Sequence, residues 1–273
     1  MAKARTRKPK RRSRFTAKTA DKHDLYQRSV QDVDTEVSFI DQVFRSIRKR
    51  TPVSLCEDFC GTALLCSAWV KKNKSRNAIG IDIDPKVLAW GVEHNLSPID
   101  EPGSRVILHQ RDVRKPLPGK VDVLGAFNFS YWIFKTRDEL RRYFERCRKG
   151  LNKDGLFFLD AYGGWEAHEP MLERRAIAGG FTYIWDQDKI DPITGNVLNH
   201  IHFEFRDGTK LDKAFTYDWR FWSLRELREL LEEAGFRDVR VYWDTSDDED
   251  HENYVPKARA DNQPGWLAYL VAS

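Results

Sequence analysis

A chain of 273 residues, 41% hydrophobic and 32% charged, is long enough for one large domain or one domain with a sizeable insertion, and its composition is that of an ordinary globule. No apolar run approaches the roughly 18 residues of a membrane span, and no apolar region follows the N-terminus, so neither a membrane segment nor a signal peptide is expected and a cytoplasmic location is. The net charge of +4 conceals an asymmetry: residues 1–14 carry eight Lys/Arg and no acid, which leaves −4 on the remainder.

Residues 1–20 read as a disordered basic tail, dense in like charge with nothing to bury. Such an arm can hold RNA, DNA or an acidic surface electrostatically, or can simply be solvated. Residues 21–52 read as an N-terminal helical cap. Val33, Val37, Ile40, Phe44 and Ile47 fall at helical spacing, and the last turn is basic, which suits a helix C-terminus. Pro52 ends that stretch.

From Val53 strands alternate with helices. Val53–Phe59 is a short apolar strand, and Thr62–Asn73 a helix with Leu64, Leu65, Ala68 and Trp69 on one face. Ala78–Ile83 is a strand, and Asp84-Pro85 supplies an N-cap and a first-turn proline for a helix to about Asn95. Arg105–His109 and Val121–Phe129 are strands, Thr136–Glu139 is a capping box opening a helix, Asn152–Gly155 is a turn, and Leu156–Tyr162 is a strand. This alternation predicts a parallel sheet covered on both faces.

The rhythm breaks at about 163–222, which reads as an antiparallel β insertion after strand five. Gly163–Gly180 is loop with room for a short helix. Phe181–Ile190 and Val197–Phe205 form a hairpin around Asp191–Gly195, with a third strand near Lys213–Phe221. Residues 181–222 hold ten of the 34 aromatics, about twice the average density, as a cover over the ligand end of the sheet would. Ser223–Glu226 is a second capping box whose helix stops at Gly235, Val239–Trp243 is a strand, 244–264 a long acidic loop, and Trp266–Ala272 the last strand. The expected architecture is α/β: a Rossmann-like, doubly wound, mostly parallel seven-stranded sheet over residues 53–273, with helices on both faces.

Cys56, Cys60, Cys66 and Cys147 form no C-x-x-C pair, so they read as small buried apolar residues of a reducing compartment, and no zinc site is expected. His200, His202 and Glu204 alternate along one strand face. That pattern suits a metal or a polar substrate, and equally the solvent side of an amphipathic strand.

Five pieces carry a family resemblance: Glu57 followed by Cys60-Gly61-Thr62, Ile79-Gly80-Ile81-Asp82, Gln110-Arg111-Asp112-Val113, Phe127-Asn128-Phe129-Ser130-Tyr131, and Trp222-Ser-Leu-Arg-Glu-Leu with Gly235-Phe236. In this order, from Val53 to the C-terminus, the chain resembles the class I S-adenosylmethionine-dependent methyltransferases. It departs from the pattern at Phe59, where many members have the first glycine of the turn, and at Ala63, where they have the last. The resemblance implies S-adenosyl-L-methionine as cofactor, bound by Glu57, Cys60, Gly61, Thr62, Asp82, Ile83, Asp112, Val113, Asn128 and Phe129. Asp82 would accept the ribose hydroxyls and Asp112 the adenine amino group. Asn128 and Phe129 would stand where donor meets acceptor, although an Asn at a strand end also simply caps backbone.

The catalytic candidates are Tyr26, Asn128 and Tyr131. The spacing of the last two echoes the Asn-Pro-Pro-Tyr loop of amino-group methyltransferases, without its prolines. Tyr217, Arg220, Trp222 and His202 are the substrate-binding candidates. The first three suit an anionic or planar small molecule, and equally suit packing of the insertion onto the sheet. A small-molecule methyltransferase is therefore expected. The alternatives are a methyltransferase of RNA, DNA or protein using the tail as an arm, a non-catalytic cofactor-binding module, and, more weakly, a nicotinamide dehydrogenase.

Overall fold

A computed structural model describes residues 15–246 and 253–273. Two helices lead into the sheet. α1 (Lys22–Val30) opens under Asp21, whose carboxylate accepts from the main-chain N–H groups of His23 and Asp24. α2 (Val33–Arg48) is capped by Asp32 and ends on Lys49 in the left-handed conformation. Of the expected tail, residues 1–14 lie outside the described residues. Phe15 is buried at 6% exposure, edge-on to Phe181 at 5.6 Å, and Thr16–Ala20 forms a turn, so the segment just before α1 is packed rather than loose.

The main chain then runs β1 (Ser54–Asp58), α3 (Leu64–Lys72), β2 (Asn77–Asp82), α4 (Pro85–Gly91, prolonged by a π turn), the single turn α5 (Glu101–Ser104), β3 (Val106–Gln110), β4 (Val121–Ala126), α6 (Arg137–Lys149) and β5 (Leu151–Gly163). The insertion supplies β6 (Met171–Ile177), β7 (Phe181–Gln187), β8 (Asn196–Phe205) and β9 (Lys210–Arg220). α7 (Leu224–Glu233), β10 (Val239–Asp244), β11 (Tyr254–Lys257) and β12 (Trp266–Ala272) complete the chain. The large sheet has the order β11-β10-β12-β5-β4-β1-β2-β3, and β6-β7-β8-β9 form a separate antiparallel sheet.

β1 pairs in parallel with β2 on one side and β4 on the other, so the strand order reverses there. In an open α/β sheet this reversal leaves a crevice at the carboxyl ends of the strands. β12 runs antiparallel to both β5 and β10. α6 and α7 bury Leu140, Tyr143, Phe144, Leu227 and Leu230 on one face of the sheet. α2 and α3 bury Val37, Ile40, Phe44, Leu65 and Trp69 on the other. Beneath the crevice, Asp58 is fully buried and receives Arg146 Nη1 at 2.5 Å and the Tyr143 hydroxyl at 2.9 Å, which ties α6 to the end of β1. A buried carboxylate is tolerated when it is paired in this way.

Four details differ from the sequence expectation. The sheet has eight strands rather than seven, because Tyr254–Lys257, inside the expected acidic loop, pairs with β10; residues 247–252 of that loop lie outside the described residues. Met171–Ile177, read as loop, is a strand: it carries charged residues on both faces, which hides the period of two. Asn152–Gly155, read as a turn, belongs to β5 and is absorbed by a bulge opposite Val121 and Val123. The helix expected from Thr62 starts at Leu64, after two further residues of turn.

Candidate active site

The turn after β1 is built from backbone conformation more than from side chains. Phe59, Gly61 and Ala63 all lie in the left-handed region, at φ 57°, 51° and 56°. For a residue with a Cβ that conformation costs about 1–2 kcal/mol. Packing offsets it: the Phe59 ring sits 5.9 Å from Tyr143 and 6.1 Å from Phe134, and Ala63 is fully buried. Three neighbours fix the turn from outside. The Asp82 carboxylate, at the end of β2, accepts from Gly61 N–H at 2.9 Å and Asp84 N–H at 2.9 Å. Gln27 of α1 donates to the Thr62 hydroxyl at 2.7 Å, and Asn95 donates to the Thr62 carbonyl at 2.8 Å. Gly91 brings α4 so close that a Cβ there would lie 2.4 Å from that carbonyl oxygen.

Glu57 lies just below the turn at 5% exposure and accepts from Cys66 Sγ at 3.1 Å. Burial pushes its carboxyl up to about 8, against the opposing hydrogen bonds from Cys66. Cys56, Cys60, Cys66 and Cys147 are all free and buried. Burial raises their thiols well out of the reactive range.

Two hollows open at the carboxyl ends of the strands, one on each side of β1 in the strand order. The first, of 240 Å³, lies over β2 and β3 and is lined by Phe59, Asp82, Ile83, Asp112, Val113 and Phe134, among others. Ile83 presents an apolar side chain at 68% exposure there. Asp112 accepts from Arg114 Nη2 at 2.6 Å and from Arg114 N–H at 2.8 Å, and this pairing holds its carboxyl below the usual range.

The second hollow, of 370 Å³, lies over β4 and β5 and is roofed by α1 and the small sheet. Its floor is the turn Asn128–Phe129, two consecutive left-handed residues at φ 55°. That turn is held by Asp160, whose buried carboxylate accepts from Asn128 N–H at 2.7 Å and Phe129 N–H at 3.0 Å. Burial pushes Asp160 up to about 7 while those two bonds pull the other way. The roof is the inward face of the small sheet, where Glu173, Trp185 and Ile201 stand side by side in register, as do Gln187, Asn199 and Tyr217. Tyr26 of α1 shares a hydrogen bond with Tyr217 across the hollow. Trp266 closes one end and also lines a 570 Å³ groove on the far side, between α7, β10 and β11. That groove is larger but lies away from the strand ends.

No protein-family model matches the chain, and no curated protein matches it by sequence. Solved structures do match. A S-adenosylmethionine-dependent methyltransferase from Clostridium acetobutylicum superposes with a TM-score of 0.70 at 16% identity, over 92% of this chain and 96% of that one. DesVI from Streptomyces venezuelae gives 0.69 at 17% identity, over 93% and 98%. A sugar N-methyltransferase from a Streptoalloteichus species gives 0.64 at 16% identity, over 99% and 98%. The fold is that of the S-adenosylmethionine-dependent methyltransferases.

In this methyltransferase fold the expected residues divide. Cys60, Gly61 and Thr62 form the turn, Asp82, Ile83, Asp112 and Val113 gather at the first hollow, and Asn128, Phe129 and Tyr26 line the second. Tyr131 is fully buried and donates to the Asp160 carbonyl at 2.6 Å, facing the core rather than the hollow. Of the four substrate-binding candidates, only Tyr217 lines the hollow. His202 is on the outward face of β8, where Lys213 N–H donates to Nδ1 at 3.1 Å and Nε2 meets Asp186 at 3.2 Å. Arg220 is held by the Lys135 carbonyl, Glu226 and the Trp222 ring, and Trp222 itself is fully buried, donating to the Phe134 carbonyl. These two side chains anchor the insertion to the sheet. Sequence reasoning passed over Gln27, Asp160, Tyr162, Glu173, Trp185 and Trp219. Asp160 carries a readable signal, an acid inside the apolar run Leu156–Tyr162, and Trp185 and Trp219 follow from assigning the period-two faces of β7 and β9.

Proposed function

We propose that the chain is an S-adenosylmethionine-dependent methyltransferase that acts on a small molecule held in the 370 Å³ hollow. The observation that carries this reading is the pair of hollows flanking β1 at the point of strand-order reversal, one acid-rimmed and apolar-walled, the other aromatic and roofed. The first suits an adenosine: Asp82 has lone pairs left for ribose hydroxyls after its two main-chain bonds, and Ile83, Val113 and Phe59 supply apolar surface for a base. Asp112 would meet the adenine amino group by exchanging part of its pairing with Arg114. The cofactor would supply an activated sulfonium methyl. The protein's own residues then position and desolvate the acceptor, with Asn128 and Phe129 at the floor and Tyr26 and Tyr217 above.

The roofed hollow is of the size that holds a metabolite, which favours a small acceptor over a nucleic acid or a protein. The named activity of the Streptoalloteichus protein, a sugar N-methyltransferase, agrees with that size class. Isothermal titration with S-adenosylmethionine and S-adenosylhomocysteine is the direct test, with saturable binding expected. Absence of binding at millimolar ligand, with the protein folded, overturns the reading. Removal of residues 1–14 separates the alternative: on the small-molecule reading cofactor affinity and turnover are unchanged, whereas a nucleic-acid arm would lose salt-dependent binding to RNA or DNA.

A further inference from the structure

The charge left in the acceptor hollow is acidic. The sequence pointed to Arg220 as a cation for an anionic substrate, yet Arg220 is held elsewhere and does not line the hollow. Three charged side chains do: Glu166, Glu173 and Arg175. Arg175 is drawn toward α1, donating to the Ser29 carbonyl and lying over the Tyr183 ring at 5.2 Å, but it keeps its charge, so two carboxylates and one guanidinium leave the lining at −1. Glu166 and Glu173 form no ion pair among the described residues.

Glu173 also has a defined aromatic setting. It is the register partner of Trp185 on the inward face. Trp185 lies 6.2 Å from Tyr217 and 6.3 Å from Trp219, and those two rings stack at 4.4 Å. A carboxylate beside the Trp185 face at the open edge of the hollow, with Tyr217 and Trp219 further along the wall, attracts a cation and repels an anion.

We propose that the acceptor is a small molecule bearing a basic amine, and that Glu173 is the residue that selects it over a neutral or anionic analogue. This rests on the second hollow being the acceptor site of the methyltransferase read above. The aromatic rings contribute to any ring-sized ligand, whereas the carboxylate discriminates by charge.

The test uses an isosteric pair, cyclohexylamine and cyclohexanol, titrated into the full chain with and without S-adenosylhomocysteine and read by tryptophan fluorescence. The protonated amine is expected to bind roughly ten-fold more tightly than the alcohol, with a preference that weakens as salt is added. In Glu173→Gln the preference should vanish while the alcohol's affinity stays as in the wild type. Equal affinity of the two probes for the wild type, or a preference that survives in Glu173→Gln, overturns the proposal. Glu173 is exposed on β6, and a thermal melt of the variant checks that it folds. Calorimetry with S-adenosylhomocysteine on the same sample keeps the two readings apart. Cofactor binding without an amine preference sinks only the amine proposal, and an amine preference without cofactor binding sinks the methyltransferase reading and leaves Glu173 as part of an amine site that is not a methyl acceptor's.

Discussion

Glu57→Gln should make this protein more stable at alkaline pH. Glu57 is 5% exposed, and burial pushes its carboxyl from an ordinary 4.5 up to about 8. The folded state therefore keeps its proton to higher pH than the unfolded chain does. The contribution to stability is fully favourable below 4.5, declines as pH rises from 4.5 to 8, and stays at its low value above that. The full gap corresponds to on the order of 5 kcal/mol by the usual conversion, as an upper limit, because buried sites relax. Glutamine keeps the shape and an acceptor for Cys66 but has no charge to bury, so a gain of about 2–3 kcal/mol at pH 9 is expected, shrinking toward pH 5. Asp160, pushed up to about 7, adds a slope of the same sign between 3.8 and 7. Asp122, held near 2 by Arg50, Val53 N–H and Asn152 against its own burial, opposes it only in acid, where its stabilisation is lost as pH falls below 3.8. Urea unfolding at pH 5.5, 7.5 and 9, followed by circular dichroism, gives both stabilities. A stability difference between variant and wild type that does not grow with pH refutes the reasoning.

Asp82→Ala removes the carboxylate that orients Gly61 and faces the first hollow. It should weaken S-adenosylhomocysteine binding by roughly 1–3 kcal/mol in calorimetry, and an unchanged Kd means the turn is not the cofactor site. Gly91→Ala drives a Cβ to 2.4 Å from the Thr62 carbonyl oxygen, so a loss of about 1–3 kcal/mol in unfolding free energy is expected, together with weaker cofactor binding; a neutral result means α4 can shift freely. Asp160→Asn turns one of two acceptors into a donor facing a main-chain N–H. The thermal midpoint should fall by several degrees at pH 5.5 and by less at pH 8.5, where the wild type has lost the contribution of its raised carboxyl; a midpoint at or above that of the wild type at pH 5.5 shows that the Asn128–Phe129 turn does not depend on Asp160.

The large sheet was legible because each of its inner strands is an apolar run bounded by a turn or cap residue. Asp84-Pro85, Thr136–Glu139 and Ser223–Glu226 all do locally what their chemistry requires. The turn was legible through Glu57, Gly61 and Asp82, even though its other two left-handed positions carry Phe59 and Ala63. Tertiary packing of the Phe59 ring holds a conformation that local propensity disfavours. Two of the four edge strands were not legible: β6 carries charges on both faces and β11 has only four residues, which leaves no periodic apolar signal. The wall of the roofed hollow was half legible. The aromatic density of residues 181–222 was evident, but which rings face inward depends on strand register, and a one-residue slip exchanges His202 for Ile201. Arg220 and Trp222 posed a different problem: aromatic and guanidinium chemistry is equally suited to a ligand and to an anchor, and only their partners, the Lys135 and Phe134 carbonyls and each other, show them holding the insertion.

Trp266 is seated over Gly163, where any Cβ would fall 2.2 Å from the indole, and it faces the roofed hollow on one side and the outer groove on the other. One indole is thus a partition between two compartments. Its size limits how far a guest in the hollow could extend toward the groove, and shortening it would join the two spaces. On the proposed reading, room for a long acceptor would be set there, at the edge of the sheet, rather than beside the reacting atoms.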